Sequence, residues 1–228
     1  TSPAFSLIGQ ITVTTPPAAG APGAWRVGDT DKFVTWTANG QLGPVKIELD
    51  PDGPGIAAFA EITDPLARPD ASVGSWAVTG WTPGNKIADY KTTAAILRVT
   101  RINGGAGTQV SGSSSAFAIY PKITAVTVTP GPGEPAGVWR AGATTQTVSW
   151  TDTSGQLTAV DVLVSLDAGP FTTLVNGNAL ASTVNGVNSA TTLTAPTGIS
   201  TAAVIRVQDD DAAWAATVQA DSTSFKVL

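Results

Sequence analysis

The sequence predicts an all-β protein made of two tandem β-sandwiches, and three observations carry that expectation. Short apolar stretches alternate with period two and are separated by Gly, Pro, Asn and Asp, the pattern of strands joined by turns. The chain holds 24 Gly and 16 Pro with 42% hydrophobic and 13% charged residues, a turn-rich composition with ample apolar material to bury. Most of it also occurs twice: "WRVG" at 25–28 returns as "WRAG" at 139–142, and "VTW" at 34–36 as "VSW" at 148–150, both 114 residues later.

Taken in order, "TVTTP" at 12–16 and "VTVTP" at 126–130 open the two copies. The repeated Trp-Arg pairs, Trp25-Arg26 and Trp139-Arg140, read as a requirement of the fold because they occur in both. Val34 and Trp36 then mark a strand, and "QLGPVKIEL" from Gln41, matched by "QLTAVDVLV" from Gln156, puts Val45, Ile47 and Leu49 on one strand face. "DPDG" at 50–53 reads as a β-turn. "LRV" at 97–99 returns as "IRV" at 205–207, with Ile96 and Arg98 expected to face opposite ways. "DAAWAA" from Asp211 is the one stretch suited to a helical turn. Each copy closes on Ser-x-x-Phe-x-aliphatic: Ser114, Phe117, Ile119 and then Ser222, Phe225, Val227. Roughly 100 residues, about seven short strands and a Trp on an early strand describe an immunoglobulin-like sandwich, here without a disulfide. Trp36 and Trp150 are the expected core anchors. The modules are assigned to residues 10–120 and 121–228.

The closing pattern occurs a third time before the first module, at Ser2, Phe5 and Leu7, so "AFSLIGQITV" at 4–13 parallels "AFAIYPKITAV" at 116–126. Residues 1–9 are therefore read as an orphan strand. Three fates are open to it: the remnant of an upstream module, a strand folded back on the first module, or a strand added to a sheet of another copy. In the last case Phe5, Leu7 and Ile8 are the apolar pegs, and head-to-tail contacts that do not close make a filament.

Composition narrows the chemistry. There is no Cys, Met or His, so disulfides, thiol nucleophiles, imidazole bases and the usual zinc and copper ligands are excluded. Oxidisable side chains being so few, an extracellular or cell-surface location is expected. A net charge of −5 without a basic cluster argues against nucleic acid as a partner, and no apolar run is long enough to insert in a membrane. Ser has no His or Gly-x-Ser-x-Gly elbow to activate it, so no catalytic residue is assigned, no enzyme is expected and no cofactor is called for. Asp209, Asp210 and Asp211 are weak candidates for a cation, since they form the tip of a hairpin without the Asp-x-Asp-x-Asp-Gly spacing of a calcium loop. Trp214 and Trp81 are candidate contacts for a glycan or protein partner, the second also suiting a plug at the sandwich end. The leading functional expectation is a self-associating extracellular structural subunit. The alternative is a module bound to cell-wall polysaccharide, or a spacer in a larger secreted protein.

The order "ITVTTP…W-x-x-G…V-x-W…V-x-I-x-L…G-S-W-x-V…R-V…S-x-x-F-x-I" resembles the immunoglobulin-like module of Ser-Thr-rich glycosylphosphatidylinositol-anchored proteins and of fungal cell-wall glucan-assembly proteins. In the first module Trp25, Gly28, Trp36, Val45 to Leu49, Gly74 to Val78 and Phe117 carry it; in the second, Trp139, Gly142, Trp150, Val160 to Val164 and Phe225 do, with only Leu193 to stand for Trp76. The resemblance implies a surface spacer, adhesion or assembly unit.

Overall fold

The computed structural model describes residues 8–15, 25–27, 29, 31–53, 59–78, 91–102, 109–153, 156–175 and 186–228. The chain divides into two compact units between Tyr120 and Pro121.

The first unit contains strands β1 (Gln10–Thr15), β2 (Trp25–Arg26), β3 (Phe33–Asn39), β4 (Val45–Asp50), β5 (Ala60–Glu61), β6 (Ser75–Ala77), β7 (Thr92–Arg101), β8 (Ser111–Ser113) and β9 (Phe117–Tyr120). A three-stranded sheet runs β1-β3-β6, and a second runs β2-β9-β7-β4-β5 with β8 also on β7. Between them lie Trp25, Val34, Trp36, Ile47, Leu49, Leu97, Val99, Phe117 and Ile119, all buried. The alternation that predicted strands is the same alternation that fills this core.

The second unit repeats the plan with β10 (Ile123–Thr129), β11 (Val138–Trp139), β12 (Gln146–Asp152), β13 (Val160–Ser165), β14 (Thr172–Val175), β15 (Gly186–Leu193), β16 (Ser200–Asp209), β17 (Gln219–Asp221) and β18 (Phe225–Val227). Its sheets are β10-β12-β15 and β11-β18-β16-β13-β14, with β17 on β16. Both opening strands shift register part-way, between Val13 and Thr15 in β1 and between Thr124 and Thr127 in β10, where Ala125 takes φ 51°. The chain is thus all-β, two tandem immunoglobulin-like sandwiches.

The repeated motifs have local causes. Trp25 and Trp139 lie on short strands that pair parallel with the closing strand, opposite Ile119 and Val227. Each indole meets the closing Phe, Trp25 with Phe117 at 5.1 Å and Trp139 with Phe225 at 4.9 Å between centroids. Arg26 lies over the Tyr120 ring, 5.9 Å from its centroid.

The closing Ser is a splice in the ladder. In the second unit the strand leaves its pairing with Arg206–Gln208 and resumes on Ala203 and Ser200. Across that gap Ser222 donates its N–H to the Ile205 carbonyl, while its Oγ accepts the Ile205 N–H at 3.0 Å. Ser114 does the same for Leu97, with Oγ accepting the Leu97 N–H at 3.0 Å. Ser222→Ala leaves the Ile205 N–H without that acceptor, so chemical denaturation should show a loss of about 1–2 kcal/mol in the second unit. Ser222→Thr, which keeps the hydroxyl, should recover part of it.

Two expectations change. Ile96 and Arg98 do not face opposite ways: they share the outer face of β7, while Ala95, Leu97 and Val99 point inward, because residues two apart in a strand lie on one side. The counterpart of Trp76 is Ala190 and not Leu193, since Val34 pairs with Trp76 and Val148 with Ala190.

Candidate functional site

Of the three predicted assembly residues, Phe5 and Leu7 lie outside the described residues. Ile8 stands just ahead of β1 with 61% of its surface exposed. Both closing-strand positions in the chain are filled by its own strands: β9 and β8 on β7, and β18 and β17 on β16. Gly112 of β8 passes so close to β1 that a side chain there would strike the Ile11 carbonyl, which fits β8 against the first strand.

Trp81 lies outside the described residues. Trp214 is half-buried in the β16–β17 loop, where its N–H donates to the Asp211 carbonyl at 2.8 Å and its own carbonyl accepts from Thr217 and Val218. Ala215 N–H also reaches the Asp211 carbonyl, so "DAAWAA" does form one turn. The three acids before it diverge. Asp209 ends β16 buried, with Oδ1 accepting the Asp211 N–H at 3.2 Å, whereas Asp210 and Asp211 are exposed. Among the described residues no three acidic side chains converge as a metal site would need.

Charge is concentrated on the outer face of the larger sheets. Glu48 and Glu61 are directly opposed on β4 and β5. Glu48 is 3% exposed and accepts from Lys46 Nζ at 2.7 Å, Arg98 Nε at 3.0 Å and Thr100 Oγ1 at 2.9 Å. Burial pushes its carboxyl up, but the bonds from Arg98, Lys46 and Thr100 outweigh this and hold it below the usual range. Glu61 is held low by a two-pronged bond from Arg68, at 2.7 and 2.9 Å. Paired carboxylates that are both depressed hold no proton near neutral pH, so this pair is built as an ion network and not as a general acid.

The second unit rewires the same arginine. Arg98 stacks on Phe59 at 3.8 Å and Arg206 on Phe171 at 4.0 Å. Opposite Arg206, however, stands Leu163 where the first unit has Glu48, and the guanidinium turns to Asp221 with bonds of 2.7 and 2.9 Å. Neither stack was read from the sequence, although Phe59 and Phe171 are separated by 112 residues, within the spread of the repeat.

Among the described residues, the outward positions of the strands in the smaller sheets carry no Asp, Glu, Lys or Arg. In the first unit Thr12 pairs with Thr37, and Thr35 stands between Thr15 and Ser75. In the second, Thr129 pairs with Thr147, and Ser149 lies between Thr127 and Ser189. Neighbouring hydroxyls bond to one another, Thr14 with Thr35 at 2.7 Å and Thr127 with Ser149 at 2.6 Å. The first face also carries Phe33, opposite Ala77 and 51% exposed. Its signal was present in the sequence, because a residue next to inward-facing Val34 must point outward.

No family model matches the chain, and no curated protein matches it. Among solved structures it is similar to a marsupial T cell receptor, with 11% identity, 96% of this chain and 73% of that chain covered, and a TM-score of 0.32. The fold assignment rests on strand order and pairing.

Proposed function

We propose that this chain is a non-catalytic structural module of an extracellular surface assembly, whose copies associate head to tail by strand addition through residues 2–8. The observation that carries this reading is the completeness of both sandwiches. Each has its own closing strand, spliced by Ser114 or Ser222 and pinned by a Trp–Phe contact. A third copy of the closing-strand pattern at Ser2, Phe5 and Leu7 is surplus to these two positions. The role we assign to it is to extend an exposed sheet edge of another copy, with backbone hydrogen bonds supplying the hold and Phe5, Leu7 and Ile8 the apolar anchors. The resemblance to surface modules and the absence of Cys and Met support an extracellular setting.

Light scattering and negative-stain imaging of the full chain beside a chain starting at Gly9 test this. The full chain, of 23.0 kDa as a monomer, should grow into filaments with concentration, while the shortened chain stays monomeric. Monomers in both samples, or filaments in both, would refute the role given to residues 2–8.

A further inference from the structure

The geometry points to a second interaction surface: we infer that the outer face of the β1-β3-β6 sheet, with Phe33 at one end of its hydroxyl row, binds a neutral polysaccharide. This goes beyond the assembly role and does not depend on it.

The repeat supplies an internal control. Val34 and Trp36 correspond to Val148 and Trp150, so Phe33 occupies the position of Thr147. The second unit builds the equivalent sheet with a hydroxyl there. The fold therefore does not require an aromatic at this point, yet the first unit keeps one half in water.

The row that leads away from the ring defines the ligand. Thr35 and Ser75 lie one step along the face from Phe33, and Thr37 and Thr12 continue the row, each hydroxyl able to donate and accept. Sugar rings have the matching division, with C–H faces to lie on the aromatic and rim hydroxyls to exchange bonds with Thr and Ser. Among the described residues, no charged side chain on the outward positions of these strands has to be stripped of water when an uncharged polyol lands on them. An acidic glycan finds no cation on these strands, and the net charge of −5 repels it.

Size argues against a protein occupant. Three strands about 4.8 Å apart and seven residues of β3 give a face on the order of 300 Å², whereas a stable protein interface needs about 800 Å² from each side. A glycan strand lying along β3 has a footprint of the right width.

The test is co-sedimentation of the full chain with microcrystalline cellulose, chitin and an insoluble β-1,3-glucan. Retention on at least one is expected, with Phe33→Ala weakening it about tenfold, as for loss of an aromatic contact. Thr37→Lys, which puts a charge on the face, should also weaken it, while Trp214→Ala should not. Phe33 is exposed, so the Ala variant should keep the wild-type unfolding midpoint, and circular dichroism verifies this. No retention of the wild type on any of the three, or equal retention of Phe33→Ala, would overturn the inference. So would self-association that disappears in Phe33→Ala without glycan retention, which assigns the face to a second copy.

Discussion

Trp36→Ala is expected to unfold the first unit or leave it barely folded. Trp36 is 3% exposed on the central strand of the smaller sheet, so truncation opens a cavity worth about 3–5 kcal/mol. The indole does a second job. Its Nε1–H donates at 2.8 Å to the carbonyl of buried Ala71, at the start of the short 3-10 turn Ala71–Val73 that leads into β6. Losing that donor strands a buried carbonyl, adding about 1–3 kcal/mol. The sum rivals the whole stability of a typical domain, about 5–15 kcal/mol. Trp36→Phe separates the two contributions: it keeps most of the packing and should cost mainly the hydrogen bond. Trp139→Phe is the comparison, because Trp139 Nε1 is buried without a hydrogen-bond partner. That exchange sacrifices no bond, so urea unfolding should show a smaller loss than for Trp36→Phe. Equal losses would mean that ring size, and not the Ala71 bond, decides the effect.

What the sequence made legible follows the repeat. Trp36, Trp150, Phe117 and Phe225 could be read as core because each recurs at the same place in a period-two pattern, and period two fixes which face is buried. Ser114 and Ser222 were visible as a pattern but not as a device, since their purpose depends on where the neighbouring strand stops pairing. Other features were closed to sequence reasoning because their partners are distant in the chain. The β13–β14 hairpin turns at Asp167 and Ala168, both at positive φ, without the Asn-Gly pair that announces such turns. Asp167 instead fastens the turn across the sheet, its Oδ1 accepting from Ser200 Oγ, Thr201 N and Ala202 N. Those bonds, led by the one from Ser200, hold its carboxyl below the usual range. Phe33 escaped notice for a related reason. Trp residues drew attention as the largest aromatics, while Phe33 gains meaning only when the outward row of β3 is seen to be free of charge.

The rewired arginine gives the second large prediction. Glu48→Leu installs in the first unit the residue that the second has at the paired position, Leu163. Alone it should cost about 2–4 kcal/mol, because Arg98, Lys46 and Thr100 all lose an acceptor that is nearly buried. Adding Ser113→Asp should return about 1–2 kcal/mol, because Ser113 faces Arg98 as Asp221 faces Arg206, where the carboxylate grips the guanidinium with two bonds. The pH dependence distinguishes charge from packing. A carboxyl depressed in the folded state contributes stability that is fully present above its unfolded value, near 4.5, and lost as pH falls through the folded value. The gap between wild type and Glu48→Leu should therefore be widest near neutrality and shrink below pH 4.5. A gap that stays constant into acid would show that Glu48 acts through its shape, and that the arginine network contributes nothing by its charge.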